Sequence, residues 1–162
     1  MPIPSTLPIS YNQITGEFGG ASLRTAANNA GLPAGAVSFS SFAGLSPNEG
    51  SGTFTAGIGS GGVGFSTIYS KYGTWNDAYM PGSRALQACY NSQTSITIRC
   101  QSFGNANRDL TFSTLRINGV TLNRSDAGFT YNPPFVQWSW LGLVPANTLV
   151  DGVTYEPIWA TA

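Results

Sequence analysis

From residue 53 onward, apolar and polar side chains alternate in short runs separated by turn residues. Ile96, Ile98 and Cys100 alternate with Ser95, Thr97 and Arg99, the two-residue period of a half-buried strand. Phe129 and Tyr131 repeat the pattern, as do Val136, Trp138 and Trp140, whose shared face assigns both tryptophans to a core. Residues 115–122 carry the clearest local signal: Asn118-Gly119 supplies the two left-handed residues of a tight hairpin between alternating apolar positions. Gly59-Ser60-Gly61-Gly62 predicts another hairpin turn, between residues 53–58 and 63–68, and residues 84–90 and 95–100 predict a third, turning near 91–95. The last strand covers 153–158, and Pro157 places it at an edge or ends it there. About eight or nine strands in roughly 110 residues, with no convincing helix between them, predict an all-β fold: an antiparallel β-sandwich, jelly-roll or immunoglobulin-like. A small closed barrel is the alternative.

The first 45 residues read differently. Ser10, Ser22 and Ser38 each stand between apolar neighbours where a hydroxyl can cap the free amides of a starting helix. Gln13 completes a capping box with Ser10, and Gly31 offers a left-handed stop after Asn28-Asn29. Three short helical turns joined by glycine and proline bends are therefore expected. Helices this short are marginal alone. Ile9, Ile14, Phe18, Leu23, Leu32, Val37, Phe39 and Phe42 are expected to need cover from outside their own turns, from the following domain or a neighbouring subunit. Glycines crowd the stretch from Gly44 to Gly62, which divides the chain into an N-terminal segment, 1–45, and a β-domain, 52–162.

Composition sharpens this picture. Seven basic and seven acidic residues give zero formal net charge, and only 9% of residues are charged, against about 25% in an ordinary soluble domain. Surface polarity must then come from Ser, Thr, Asn and Gln, which are easier to desolvate at a contact than Lys or Glu. Homo-oligomerisation or packing into a larger assembly follows more naturally than life as a monomer. Arg24, Lys71, Arg84, Arg99, Arg108, Arg116 and Arg124 are dispersed, so nucleic acid is not an expected partner. No run approaches the roughly 20 apolar residues of a membrane span, and Met1-Pro2-Ile3-Pro4-Ser5 lacks the features of a secretion signal.

Candidate chemistry is sparse. The chain has no histidine, which removes the commonest general base near neutral pH and every imidazole-containing zinc site. Glu17, Glu49, Asp77, Asp109, Asp126, Asp151 and Glu156 all fall in turns, caps or strand ends, and no two share a short motif. The glycines at 59–62 lack the Lys-Ser/Thr of a phosphate loop. In the hairpin above, Cys89 faces roughly residue 96 and Cys100 roughly residue 85, so both read as small buried apolar residues and not as a disulfide. These readings predict a non-enzymatic protein without metal or cofactor.

The most distinctive stretch is residues 69–81. It brings Tyr69, Tyr72, Trp75 and Tyr79 together with Asn76 and Asp77 and has no clean period. It reads as a candidate recognition loop with three uses. It folds back over the sandwich with Trp75 and Tyr79 in a satellite core, it contacts another protein through its aromatics, or it offers a sugar platform with Asn76 and Asp77 toward hydroxyls.

The run Pro2-Ile3-Pro4-Ser5-Thr6-Leu7-Pro8-Ile9-Ser10-Tyr11-Asn12-Gln13-Ile14, with Glu17-Phe18-Gly19-Gly20, resembles the opening of many tailed-bacteriophage virion proteins. Ala21-Ser22-Leu23-Arg24 and residues 31–42 continue the resemblance. It implies an N-terminal segment that attaches to a particle, with Ile3, Leu7, Ile9, Tyr11, Ile14 and Phe18 as assembly contacts. The β-domain would decorate, cement or recognise. The implied role is a multi-copy structural component of the tail, baseplate or fibre, located in the virion and made in the bacterial cytoplasm. Its partners would be other virion proteins and copies of itself. A host-receptor or glycan-binding module and a capsid decoration protein are the alternatives.

Overall fold

The computed structural model describes residue 3 and residues 8–32, 35–43, 48–68, 70–82, 84–101 and 112–161. Its N-terminal part contains α1 (Tyr11–Phe18), α2 (Leu23–Asn29) and a 3-10 turn at Phe39–Phe42, each begun by one of the three serines. Ser10 Oγ accepts the Gln13 N–H at 3.2 Å while the Ser10 N–H donates to Gln13 Oε1 at 2.7 Å, the reciprocal capping box. Ser22 Oγ accepts the Thr25 N–H at 3.1 Å, and the Ser38 N–H donates to Ser41 Oγ at 3.2 Å. Beyond α2, the Gly31 N–H reaches Asn28 O at 3.0 Å and the Leu32 N–H reaches Ala27 O at 2.9 Å, a Schellman closure around Gly31.

These short elements cover one another. Ile3, Ile9, Ile14, Phe18, Ala26, Ala27, Ala30 and Phe42 form a core of their own, with the Phe18 and Phe42 rings 5.8 Å apart. Asn29 Nδ2 donates to Phe18 O at 2.8 Å and ties the end of α1 to α2. The expectation that the apolar side chains of this segment lack cover within it is therefore corrected for all those named except Phe39, which stays 40% exposed. Three marginal turns share one small core, and mutual burial supplies the stability that none has alone.

The rest of the described residues are strand and turn, apart from a 3-10 turn at Arg124–Asp126, as the alternation predicts. Among the described residues the strands are β1 (Ser51–Thr55), β2 (Gly57–Gly59), β3 (Gly62–Ser66), β4 (Thr74–Met80), β5 (Arg84–Ser92) and β6 (Ser95–Gln101). They continue with β7 (Thr114–Ile117), β8 (Val120–Asn123), β9 (Gly128–Asn132), β10 (Phe135–Trp140), β11 (Thr154–Tyr155) and β12 (Ile158–Ala160). All pair antiparallel, in the order β11-β1-β4-β5-β6-β10-β9, with the β2–β3 hairpin added along β5. A second sheet runs β12-β7-β8. Pro157 interrupts the final strand, so β11 pairs with β1 while β12 crosses to β7. Asn48 pins that junction, its Oδ1 accepting the N–H of both Gly50 and Trp159 at 2.9 Å.

The sheets enclose a main core. Trp138 and Trp140 of β10 lie against Phe112, whose ring also meets Trp159 of β12 at 5.1 Å. Phe54 of β1 packs on Phe65 of β3 at 4.7 Å and on Tyr155 of β11 at 5.8 Å. The architecture is the antiparallel β-sandwich the pattern implied.

The helical segment forms a layer outside the small sheet. In that sheet Trp159, Leu115 and Leu122 make one cross-strand row, buried in the main core. The next row, Ile158, Arg116 and Thr121, faces the other way. Gly31 covers Ile158 so closely that a Cβ there would lie 2.4 Å from its Cγ1, and Arg116 Nη1 donates to Ala30 O at the end of α2. Ile158 and Arg116 are both buried as a result.

Candidate functional site

One end of the sandwich is closed by residues 141–153, and hydrogen bonds fix this loop at many points. Buried Asn91 is the hub: its Nδ2 donates to Gln93 O and Ser95 O, both at 2.9 Å, and its Oδ1 accepts the Leu149 N–H at 3.4 Å. The Val144 N–H donates to Thr94 O at 3.0 Å, the Gly142 N–H to Ser95 Oγ at 3.0 Å, and Asn118 Nδ2 to Thr148 O at 2.8 Å. The Gly152 N–H meets Ala56 O at 2.8 Å and the Ala56 N–H meets Val153 O at 2.9 Å, which ties the loop to the junction of β1 and β2.

On this rigid frame Val144 and Leu149 turn inward, while five large apolar side chains turn out. Ile58 is 72% exposed and Leu141 71%, and Leu143, Val150 and Val153 accompany them. A single exposed leucine is ordinary; several at one end make an apolar patch of the kind that marks interaction sites. Residues 56–64, 91–95 and 141–153, which build this end, contain one charged residue, Asp151. Little hydration of charge therefore opposes burial there. Sequence reasoning did not single these residues out. The available signal was the charge-free run 141–150, apolar in a stretch without strand alternation.

The N-terminal assembly candidates are placed elsewhere. Ile3, Ile9, Ile14 and Phe18 lie in the segment's own core, where another chain cannot reach them in this conformation. Tyr11 is 40% exposed, with its hydroxyl donating to Ala21 O at 3.1 Å. Leu7 lies outside the described residues.

Most of the stretch 69–81, expected to be a loop, is strand. Tyr69 lies outside the described residues, but 74–80 form β4, paired with β1 along its length and with β5 at its end. Its missing period has a cause: a β-bulge sets both Asn76 and Asp77 opposite Thr53, with Asp77 at φ +56°. Trp75 and Ala78, three apart, consequently both pack on the main core. Trp75 Nε1 donates to Ala78 O at 3.0 Å, and its ring meets Tyr79 edge-on at 5.5 Å. Asn76 Nδ2 donates to Thr55 Oγ1 at 3.2 Å. Tyr79 also borders an open hollow of about 470 Å³ lined by Glu49, Gly50, Ser51 and Met80. Tyr72 is bridged to Ser66 through two backbone bonds and lies over Gly59 and Gly61. Burial and the neighbouring Tyr90 push its phenol above the ordinary range.

Both thiols are enclosed, and three of the carboxylates are hydrogen-bonded. Cys89 lies opposite Ile98 and Cys100 opposite Leu86, not 96 and 85. The turn is the tight pair Gln93-Thr94 between Ser92 and Ser95, and a bulge lies between Leu86 and Ala88. Both thiols are free and buried. Burial raises both, Cys100 to about 11. Glu156 accepts from Asn48, Glu49 from Thr161, and Asp126 from Asn123. Asp109 lies outside the described residues. Among the described residues, no group of three or more Cys, Asp or Glu could hold a metal ion, and no helix is long and apolar enough to cross a membrane. No protein-family model matches this chain, and no curated protein or solved structure matches it.

Proposed function

We propose that this chain is a non-enzymatic structural component of a tailed-phage virion, belonging to the tail, baseplate or fibre. It assembles in multiple copies through the neutral apolar end of its sandwich. The observation that carries this reading is the set Ile58, Leu141, Leu143, Val150 and Val153, exposed on a hydrogen-bonded frame around Asn91. A preformed apolar surface loses little conformational freedom when a neighbour covers it, so its burial translates into association. The scarcity of charge over the whole chain supports the same use. The resemblance of the first 42 residues to virion proteins supplies the setting.

Quantitative mass spectrometry of gradient-purified particles from producing cells tests the proposal. The chain should band with the particles at a fixed stoichiometry of several copies each. Its copy number relative to the major capsid protein separates a tail or baseplate position from a capsid-surface one. Recovery only in the soluble fraction of the lysate would overturn the reading.

A further inference from the structure

We propose that the outer face of β6, β10 and β9 carries a binding site for an acidic saccharide, a sugar bearing a carboxylate. The register brings the site together. Arg99 of β6 lies opposite Gln137 of β10, which lies opposite Thr130 of β9, and Phe135 lies opposite Asn132 in the neighbouring row. These five residues line a cleft of about 310 Å³, within the lower part of the size range of small-ligand sites. The alternate residues of the same strands, Ile98, Val136 and Trp138, fill the main core, so the cleft has a rigid floor.

Arg99 sets the ligand's charge. Its Nε donates to Gln137 Oε1 at 3.0 Å and its Nη2 donates to the same oxygen. Gln137 is in turn held by donation from its Nε2 to Ser139 Oγ at 3.1 Å, and Ser139 Oγ pairs with Thr97 Oγ1 at 3.1 Å. The guanidinium is thus oriented by a neutral amide, and among the described residues no carboxylate neutralises it. An arginine has five N–H donors in a planar fork that matches a carboxylate, and the bonds to Gln137 leave donors over.

Thr130, Asn132 and Gln137 supply the mixed donors and acceptors that sugar hydroxyls require, and Phe135 gives an apolar wall for the C–H face of a ring. One cation suits a single carboxylate and not a polyphosphate backbone. Position agrees as well. β6 starts at the apolar end, beside the Gln93-Thr94 turn, and runs away from it, so the cleft lies toward the opposite end. A chain held by its apolar end would keep this face open. The site does not depend on the assembly reading, because a solitary molecule would carry it too.

The test is saturation-transfer and chemical-shift NMR on the intact chain with glucuronic acid, with glucose as the neutral control and inorganic sulfate as the anion control. Glucuronic acid should shift the Gln137 side-chain amide and the Arg99 Nε–H and bind at least about tenfold more tightly than glucose, the loss expected when a charge-assisted bond is missing. Arg99→Gln should remove that preference. Asn132→Ala, at an exposed position on the outermost strand, should weaken glucuronic acid binding and serves if Arg99→Gln does not fold. Equal binding of glucose and glucuronic acid, shifts reproduced by sulfate alone, no binding of either sugar, or glucuronic acid binding unchanged in the variant that folds would each overturn the proposal.

Discussion

The ring of Tyr72 occupies the space that a side chain at Gly59 would need: a Cβ there would lie 2.1 Å from the Tyr72 Cδ1. Gly61 lies under the end of the same side chain, with its own Cβ position 2.8 Å from the Tyr72 hydroxyl and 3.0 Å from the Tyr90 ring. The glycines of this hairpin are therefore more than turn formers; they make a floor on which residue 72 lies. Gly59→Ala should cost about 1–3 kcal/mol, the usual range for overpacking. The cost should shrink in a Tyr72→Ala background, because the two sites are in contact. Denaturant midpoints of the four chains measure the coupling, and additive effects would contradict the contact.

Gly52 faces a harder obstacle. At φ +76°, its Cβ would sit 1.8 Å from the Asp77 carbonyl oxygen, which is backbone at the bulge and not a side chain that can swing aside. Gly52→Ala should therefore cost about 3 kcal/mol or more, combining left-handed strain with loss of the β1–β4 register. Thermal unfolding should show a larger loss at Gly52 than at Gly59. The reverse order would mean that the bulge is not as described.

Arg116 and Ala30 join the two cores. The guanidinium is buried, burial holds its pKa below the usual arginine value, and its bond to the end of α2 spans 86 positions of sequence. Arg116→Ala should cost about 2 kcal/mol, the scale of a hydrogen bond to a charged group. It should also loosen the helical layer first. Limited proteolysis should then cut within residues 8–43 while the β-domain stays intact. An unchanged digestion pattern would contradict the clasp.

The two thiols give the stability a sign at high pH. In the unfolded chain they ionise near pH 8.5, whereas burial keeps them protonated in the fold, Cys100 to about 11 and Cys89 still higher. A raised folded pKa means the unfolded state loses its proton first. The thiols' contribution is thus fully present below about pH 8.5 and falls as pH rises through 9 and 10, by up to about 1.4 kcal/mol per pH unit per thiol. Tyr72, raised mainly by burial, acts in the same direction at higher pH. Urea unfolding from pH 7 to 10.5 should show this decline, reduced in Cys89→Ala. A flat profile would contradict the burial, as would rapid alkylation of the native chain at pH 8.

What could be read from the sequence is what neighbouring residues decide between themselves. The Ser10–Gln13 box, the Gly31 stop, the Asn118-Gly119 hairpin and the inward face of Trp138 and Trp140 each depend on a few adjacent positions, and each is present. Nonlocal geometry was hidden. No local period announces that Asp77 is the extra residue of a bulge, because the bulge is defined by a partner strand more than twenty positions away. Cover for the N-terminal apolar residues was missed for a related reason: Phe42 and Phe18 meet only after two bends. The candidate site was still less legible. Arg99 and Gln137 can each be assigned to an outward position by alternation, but their meeting requires the β6–β10 register. The apolar end forms only when residues 141–153 fold across the β5–β6 turn.

Sedimentation velocity over a wide concentration range, on the unmodified chain and on an Ile58→Asp/Leu141→Asp variant, addresses assembly through the apolar end most directly. Both substituted positions are more than 70% exposed, so the variant should keep the circular dichroism and unfolding midpoint of the parent. The unmodified chain should form larger species as concentration rises, undiminished by added salt because charge plays little part in the contact. The variant should remain a monomer throughout. A parent that stays monomeric at every concentration, or a folded variant that associates as readily as the parent, would contradict the account.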